Sequence, residues 1–474
     1  MTDPLSVRLE RSLRWYPWHQ TAAGSLFWLP ILTLFYVDAV GLAAALRLQA
    51  VYFIAVVVFE VPSGWASDRL GRVATMRVAA VAWIAAHVLL TVGGDTGLFV
   101  VAQVLLALGY ASLSGTDAAF HHDTLEALGR ASEFGRREAA ARRRMLLATA
   151  ASALAGGALG LVDFRLEFAT SAVAAAAQLA TTSRFVEPRL DGGLRGAGSR
   201  RRGGAFRDDL PAPLGVRRIP VVRWLAIGVV VQVTTVHLAA DLTGPYLASL
   251  TADGLADLRG GAMATGAVSA VVALAGSQIV GRVPALVRAV GIPAAVVLAG
   301  IAPVGGLALM ALVSTWWLVP LLALRGTQSA AVAVIAPQVV GAHAPSQHRA
   351  TLLSIMSLGG RLTYGVAALA IAATTSSLDR ALTISAVIAA AGWLLLLLTH
   401  RLVPPHQHDA SHDHEHHHPA LHHDHAHRHD DGHHDHEHPE HLEIGADGFH
   451  SHPHRHDELD HAHEHTSDAH HHHH

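Results

Sequence analysis

The sequence predicts an all-α membrane protein: twelve transmembrane helices in two six-helix halves, followed by a disordered tail. Three observations predict it. The chain is 51% hydrophobic and 15% charged, where soluble domains carry about 25% charged residues. Between Ala22 and His400 the apolar residues fall in runs of spanning length. The arginines gather in alternate connections between those runs.

A bilayer core of about 30 Å needs roughly 20 apolar residues per helix. Twelve such segments start near Ala22, Leu46, Val73, Gly97, Leu146, Leu166, Val221, Gly260, Leu286, Val313, Thr351 and Ala381. They are rich in Gly and Ala, which let helices approach closely in lipid. Gly156 to Gly160 is a GxxxG spacing on the fifth.

Arginine placement predicts the orientation. With the N-terminus inside, the inner connections collect Arg69, Arg72 and Arg77, then Arg130, Arg136, Arg137, Arg142, Arg143 and Arg144, then ten arginines from Arg184 to Arg223. The outer connections hold Arg47, Arg165, Arg259 and Arg380. Positive charge stays on the cytoplasmic side, so both termini are expected in the cytoplasm of a bacterium whose inner membrane holds the chain. The divisions read as 1–21 cytoplasmic N-terminus, 22–186 first half, 187–220 a Gly-, Arg- and Pro-rich linker, 221–405 second half, and 406–474 tail.

Composition also excludes functions. The absence of cysteine rules out disulfides and thiolate sites. Lysine is absent too. No soluble catalytic motif, phosphate-cradling loop or nucleic-acid module is legible, so an enzyme and ATP hydrolysis are not expected. The first twenty residues lack the short apolar core and cleavage site of a signal peptide.

Between spans two and three lies Gly64-Trp-Ala-Ser-Asp68-Arg69-Leu-Gly71-Arg72, preceded by Phe59-Glu60-Val61-Pro62. Ser114-Gly115-Thr116-Asp117 runs into His121-His122-Asp123-Thr124-Leu125 after span four, and Arg349-Ala350-Thr351 opens span eleven. The first stretch resembles the GxxxDRxGR signature of the major facilitator superfamily, and the others resemble a bacterial subgroup of it. The resemblance covers nearly all of Ala22 to Arg401. It implies a solute path between the halves and alternating access by rocking. It also implies an inner gate at Gly64, Asp68, Arg69, Gly71 and Arg72, with Arg361 of span eleven as a partner for Asp68. The glycines suit a tight turn and close approach; the charges alternatively only set topology. In the second half Val280 stands where the aspartate would be, so any latch is asymmetric. Span five lacks a Gly-Pro pair carried by many antiporters of the superfamily.

Ionisable residues within spans are costly and face partners or cavities. Asp38 lies late in span one, and His237 and Asp241 lie four apart late in span seven. Spans one and seven are equivalent in the two halves, so the aspartates are expected at similar depth. Together with His237 they would suit Ni²⁺, Co²⁺ or Zn²⁺, or carry protons; alternatively they meet water at helix ends. Arg325 in span ten suits a carboxylate or an anionic solute. Asp117 and His121 share a helical face, and with His122 and Asp123 they form an inner metal-entry site; alternatively Asp117 and Asp123 are gate residues of the kind the resemblance implies and the histidines are polar loop neighbours.

The tail holds 29 histidines among residues 406–474, with 16 acidic residues and 2 arginines. His412, His414, His416, His417 and His418 form one cluster, followed by His422 and His423. Such a segment buries no core and is expected to be disordered without metal. Close imidazoles beside carboxylates chelate Ni²⁺, Co²⁺ or Zn²⁺ loosely. No tightly bound cofactor is expected.

The functional expectation is a monomeric secondary transporter exporting Ni²⁺, Co²⁺ or Zn²⁺ on the proton gradient, similar in outline to histidine-tailed bacterial nickel-resistance permeases. The alternatives are a drug or small-metabolite exporter with a metal-binding regulatory tail, and a membrane-anchored metal buffer or sensor. Its partners are the lipid bilayer, protons and the transported ion or small molecule, with no nucleic acid.

Overall fold

A computed structural model describes residues 4–188, 219–251, 258–344 and 346–400, and within the tail 412–418, 421–427, 450–456 and 459–465. The expected linker lies almost wholly outside the described residues.

The body is helical. The first half contains α1 (Pro4–Gly24), α2 (Leu32–Val40), α3 (Leu42–Leu70), α4 (Arg72–Val92), α5 (Thr96–Leu113), α6 (Thr116–Ala127), α7 (Phe134–Gly160) and α8 (Phe164–Thr182). The second contains α9 (Pro220–Ser249), α10 (Ala262–Val280), α11 (Val283–Val290), α12 (Ile292–Ala299), α13 (Ile301–Leu312), α14 (Val319–Leu322), α15 (Thr327–His343), α16 (Ser346–Thr374) and α17 (Leu378–Thr399).

Among the described residues, nine stretches are long and apolar enough to cross a membrane by length and composition. The expected first, fifth and sixth spans are helical but fail that measure, for visible reasons. The first is interrupted between Gly24 and Leu32. The fifth, α7, opens on about three turns of arginine-rich sequence, through Arg144, and the sixth, α8, carries Arg165 and Glu167. The expected start at Leu286 falls inside the short helix α11, and the span itself begins at Ile292. The expected N-terminal segment is also mostly helix: α1 buries Leu9, Leu13, Tyr16, His19 and Gln20.

Helix ends follow local chemistry. Asp95 caps α5 by accepting from the Leu98 N–H at 3.0 Å, and Asp163 caps α8 by accepting from Arg165. Gly71, at φ +100°, joins α3 to α4. There Glu187 closes the N-terminus of α4, accepting from the backbone N–H of Arg72 at 2.7 Å and of Val73 at 2.9 Å. A Cβ on Gly71 would lie 2.9 Å from that carboxylate. Gly64 lies within α3 with open space around it, so close helix approach applies at Gly71 and not at Gly64.

The two halves meet along two long contacts, α3 against α16 and α7 against α10. Connections alternate between an arginine-rich end and an arginine-poor end of the bundle. At the arginine-poor end Arg47 donates to the Ala372 carbonyl at 3.4 Å and Arg259 to the Val162 carbonyl at 3.2 Å. The α7–α10 crossing is close because both sides lack side chains: a Cβ on Gly157 would sit 2.8 Å from the Ala262 carbonyl oxygen, and one on Gly266 3.0 Å from the Gly157 Cα. Gly266→Ala is expected to push these helices apart, costing about 1–3 kcal/mol of overpacking. Thermal unfolding of the detergent-solubilised protein should fall accordingly; an unchanged midpoint would refute the close crossing.

The tail forms a separate unit, Pro405–His474. Its described residues are four seven-residue segments, β1 (His412–His418), β2 (Leu421–His427), β3 (His450–His456) and β4 (Leu459–His465). They pair antiparallel as β1 with β4 and β2 with β3. Two-stranded ladders bury little and are marginal alone, so the expectation that the tail buries no core is unaffected.

Candidate functional site

Asp241 lies on α9, which is largely buried along its length. Its carboxylate is held by both halves. Oδ1 accepts from Gln49 Nε2 of α3 at 2.8 Å and from Thr33 Oγ1 of α2 at 3.2 Å, while Oδ2 accepts from the Tyr364 hydroxyl of α16. Gln49 is itself fixed, donating also to Thr33 at 3.1 Å and accepting from Gln103 of α5 at 3.1 Å. Three donors on two oxygens make a pre-formed anion pocket, in which charge-assisted bonds are the strong ones.

His237, one turn earlier, donates Nδ1–H to the Val233 carbonyl at 2.7 Å and sets its ring edge-on to Phe53 at 4.4 Å. Tyr364 stands beside it, 5.4 Å between ring centres. Arg325, in the turn between α14 and α15, donates to Thr243 at 2.9 Å and Ser269 at 3.4 Å. The site therefore combines one carboxylate, one guanidinium, one imidazole and several neutral donors.

Asp38 is exposed near the end of α2. The equivalence of spans one and seven put it level with Asp241. The first span is interrupted between Gly24 and Leu32, and Asp38 is not among the groups that hold Asp241.

Toward the arginine-rich end, Arg361 of α16 crosses to the first half. Its Nη1 meets Glu60 Oε2 at 3.3 Å, its Nη2 donates to the Tyr110 hydroxyl at 2.6 Å, and its guanidinium lies 4.7 Å from the Tyr110 ring centre. Ser114 donates to the other Glu60 oxygen at 3.2 Å. Arg361 is thus the partner of Glu60, not of Asp68. Asp68 pairs instead with Arg72 at 2.7 Å, and Arg72 also donates to Ser67 at 3.0 Å and reaches Asp123 at 3.5 Å. Arg69 stacks on Trp65 at 4.7 Å.

Asp117 and His121 are buried in a network drawn from three helices, α1, α6 and α7. Gln20 donates to Asp117 at 2.7 Å, Tyr16 donates to Glu138 at 2.9 Å, and His121 Nδ1 meets the same Glu138 oxygen at 2.9 Å. Arg142 reaches Glu138 at 2.9 Å and Asp117 at 3.6 Å. Burial raises the Glu138 carboxyl, but bonds from His121, Arg142 and Tyr16 offset this and hold it below the usual carboxylate range. Bonds from Arg130 and then Arg137 lower Glu133 to about 2. His121 is therefore engaged within the bundle. His122 is exposed, and its ligand atoms with those of Asp123 and Glu126 lie within 4.8 Å of one another; such exposed clusters are common without an ion.

In the tail, the register sets His412, His414 and His416 opposite His465, His463 and His461, and His423 opposite His454. His417, His418 and His422 lie in the same strands opposite other residue types.

Gln49, Gln103 and Tyr364 were not singled out in the sequence. Two glutamines in apolar spans were a usable signal. A tyrosine within a span gives none.

Residues 21–313 match the sequence profile of the Major Facilitator Superfamily. Among solved structures, a mutant of the nucleoside transporter NupG aligns with TM-score 0.68 at 12% identity, covering 84% of this chain and 100% of that one. A mutant of the peptide transporter POT aligns with TM-score 0.62 at 13% identity, covering 84% and 94%. A POT family transporter in complex with 5-aminolevulinic acid aligns with TM-score 0.60 at 11% identity, covering 84% and 96%. At these identities the likeness is one of fold. Among curated proteins no relative matches.

Proposed function

This chain belongs to the Major Facilitator Superfamily and is a secondary transporter of that fold, not an enzyme; from that premise we propose that it moves a small polar solute, coupled to protons, by alternating access about Asp241. One observation carries the reading. Asp241 is gripped by Thr33 and Gln49 of one half and Tyr364 of the other, with Arg325 bonded to Thr243, two residues along the same helix. An acid and a guanidinium among neutral donors suit a solute bearing both donor and acceptor groups. A fixed guanidinium near a single carboxylate disfavours a divalent cation, whose sites gather several anionic or imidazole ligands. That the structural neighbours include nucleoside and peptide transporters accords with an organic solute.

In this reading the arginine-rich end faces the cytoplasm. The direction of net transport is outward. The tail then lies in the cytoplasm and binds divalent metal as a regulatory element, its paired histidines offering neighbouring imidazoles.

A second reading, export of Ni²⁺, Co²⁺ or Zn²⁺, is favoured by the tail's 29 histidines. Proteoliposomes with an imposed pH gradient separate the two. The first reading expects gradient-driven movement of a nucleoside or dipeptide and none of metal; metal movement without solute movement overturns it. Removing residues 406–474 is expected to cut the number of bound Ni²⁺ ions, read by equilibrium dialysis, at least about tenfold while leaving solute transport in place. Unchanged Ni²⁺ binding would sink the tail assignment.

A further inference from the structure

Glu167 takes no part in the central site. It lies in the first turn of α8, fully buried at 0% exposure, and neither carboxyl oxygen meets a hydrogen-bond donor among the described residues. Its position is specific. Oε1 rests against Gly160 of α7, where a Cβ would collide with it, and that same point lies 2.9 Å from the Ala262 Cβ of α10. The carboxyl therefore fills the seam where the first half closes on the second at the arginine-poor end.

Few charged groups surround it. From Leu146 to Gly160, α7 carries no ionisable residue, and neither does α10 from Ala262 to Val280. The ionisable group toward this end of α4 is His87, buried against Trp28, and the histidine that α1 sets against α8, His19, meets Thr181 at the opposite end of that helix. On its own helix the neighbours are Arg165 and Asp163, and Asp163 is a like charge occupied as the cap. Arg259, at the start of α10, donates to the Val162 carbonyl. An ionised carboxylate without donors is far more costly to bury than the acid.

We propose that Glu167 is a proton-binding latch of this seam, distinct from Asp241. Carrying a proton from the water at the arginine-poor end, it lies between α7, α8 and α10 and the seam closes. Releasing that proton to the same water, it leaves the seam as the anion and the two helices part. This rests on the alternating-access reading but not on the identity of the solute, so a wrong solute would leave it standing.

The cysteine-free chain allows a direct test. Thr265 on α10 is 2% exposed and Leu161 after α7 is 47% exposed. Single-cysteine chains Thr265→Cys and Leu161→Cys are labelled with a maleimide in detergent from acid to alkaline pH. The ratio of their rates removes the thiol's own pH dependence. The ratio is expected to rise at least about tenfold with pH and to stay at its low acid value when Glu167→Gln is added. A flat ratio in the parent, or an undiminished rise in Glu167→Gln, overturns the proposal. Gly160→Ala, whose Cβ takes the carboxyl's place, is expected to raise the ratio already at acid pH, and a low ratio there also overturns it. Should Glu167→Gln not fold, the parent titration and Gly160→Ala decide.

Discussion

Asp241→Asn is expected to reduce proton-driven solute transport in proteoliposomes by roughly 100-fold while leaving the protein folded. The substitution keeps size and shape. It replaces one acceptor oxygen with an NH₂ group facing a donor, because both carboxylate oxygens already accept, from Gln49 and Thr33 on one side and Tyr364 on the other. Leaving a buried polar group unpaired costs about 1–3 kcal/mol, or roughly ten- to a hundredfold, and the loss of charge also removes the group able to carry a proton or hold a cationic solute. Tyr364→Phe withdraws one donor but keeps the charge, so a smaller loss of about tenfold is expected. Both variants should elute as the parent does in size-exclusion chromatography. Normal transport by Asp241→Asn would remove the carboxylate from the mechanism.

Much of the architecture was legible because it is written locally. Hydropathy marks spans within about 20 residues, the arginine asymmetry is a count over short connections, and the signature from Gly64 to Arg72 is contiguous. The site was legible only in part. Asp241, His237 and Arg325 declared themselves as ionisable groups within apolar spans. Asp38 stands apart from the site, exposed near the end of α2, whereas pseudo-symmetry with span seven assumes an unbroken first span. Pairings fared worst. Glu60 and Arg361 are 301 residues apart, and Glu187 caps α4 from 115 residues away. Nothing in spacing specifies such partners, whereas Asp68 and Arg72 lie four apart. Glu167 is illegible in the sequence for a different reason. It stands near the start of a span, where a charge is normally read as reaching water, and only the packing of Gly160 and Ala262 over it reveals the burial.

Glu60→Gln is expected to weaken closure of the halves at the arginine-rich end by roughly ten- to a hundredfold. Arg361 links α16 to α3 and α5 through Glu60 and Tyr110, and its side chain and that of Glu60 are 14% and 19% exposed. Removing one partner of a fully buried pair costs about 3–5 kcal/mol; water at this pair's edge screens it, so about 1–3 kcal/mol is expected. Because this contact joins the two halves, its loss acts on the equilibrium between closed and open states rather than on either half alone. Spin labels at Trp65 of α3 and Ile355 of α16, both exposed, should report a shift toward longer separations. Exchanging the charges, with Glu60→Arg and Arg361→Glu together, is expected to restore part of the short-distance population that each single change loses. Arg361→Lys is expected to restore little, because a point charge cannot hold Glu60 and the Tyr110 hydroxyl with one planar fork while stacking on the ring. An unchanged distance distribution in Glu60→Gln would mean that the pair rides on the closed state without holding it.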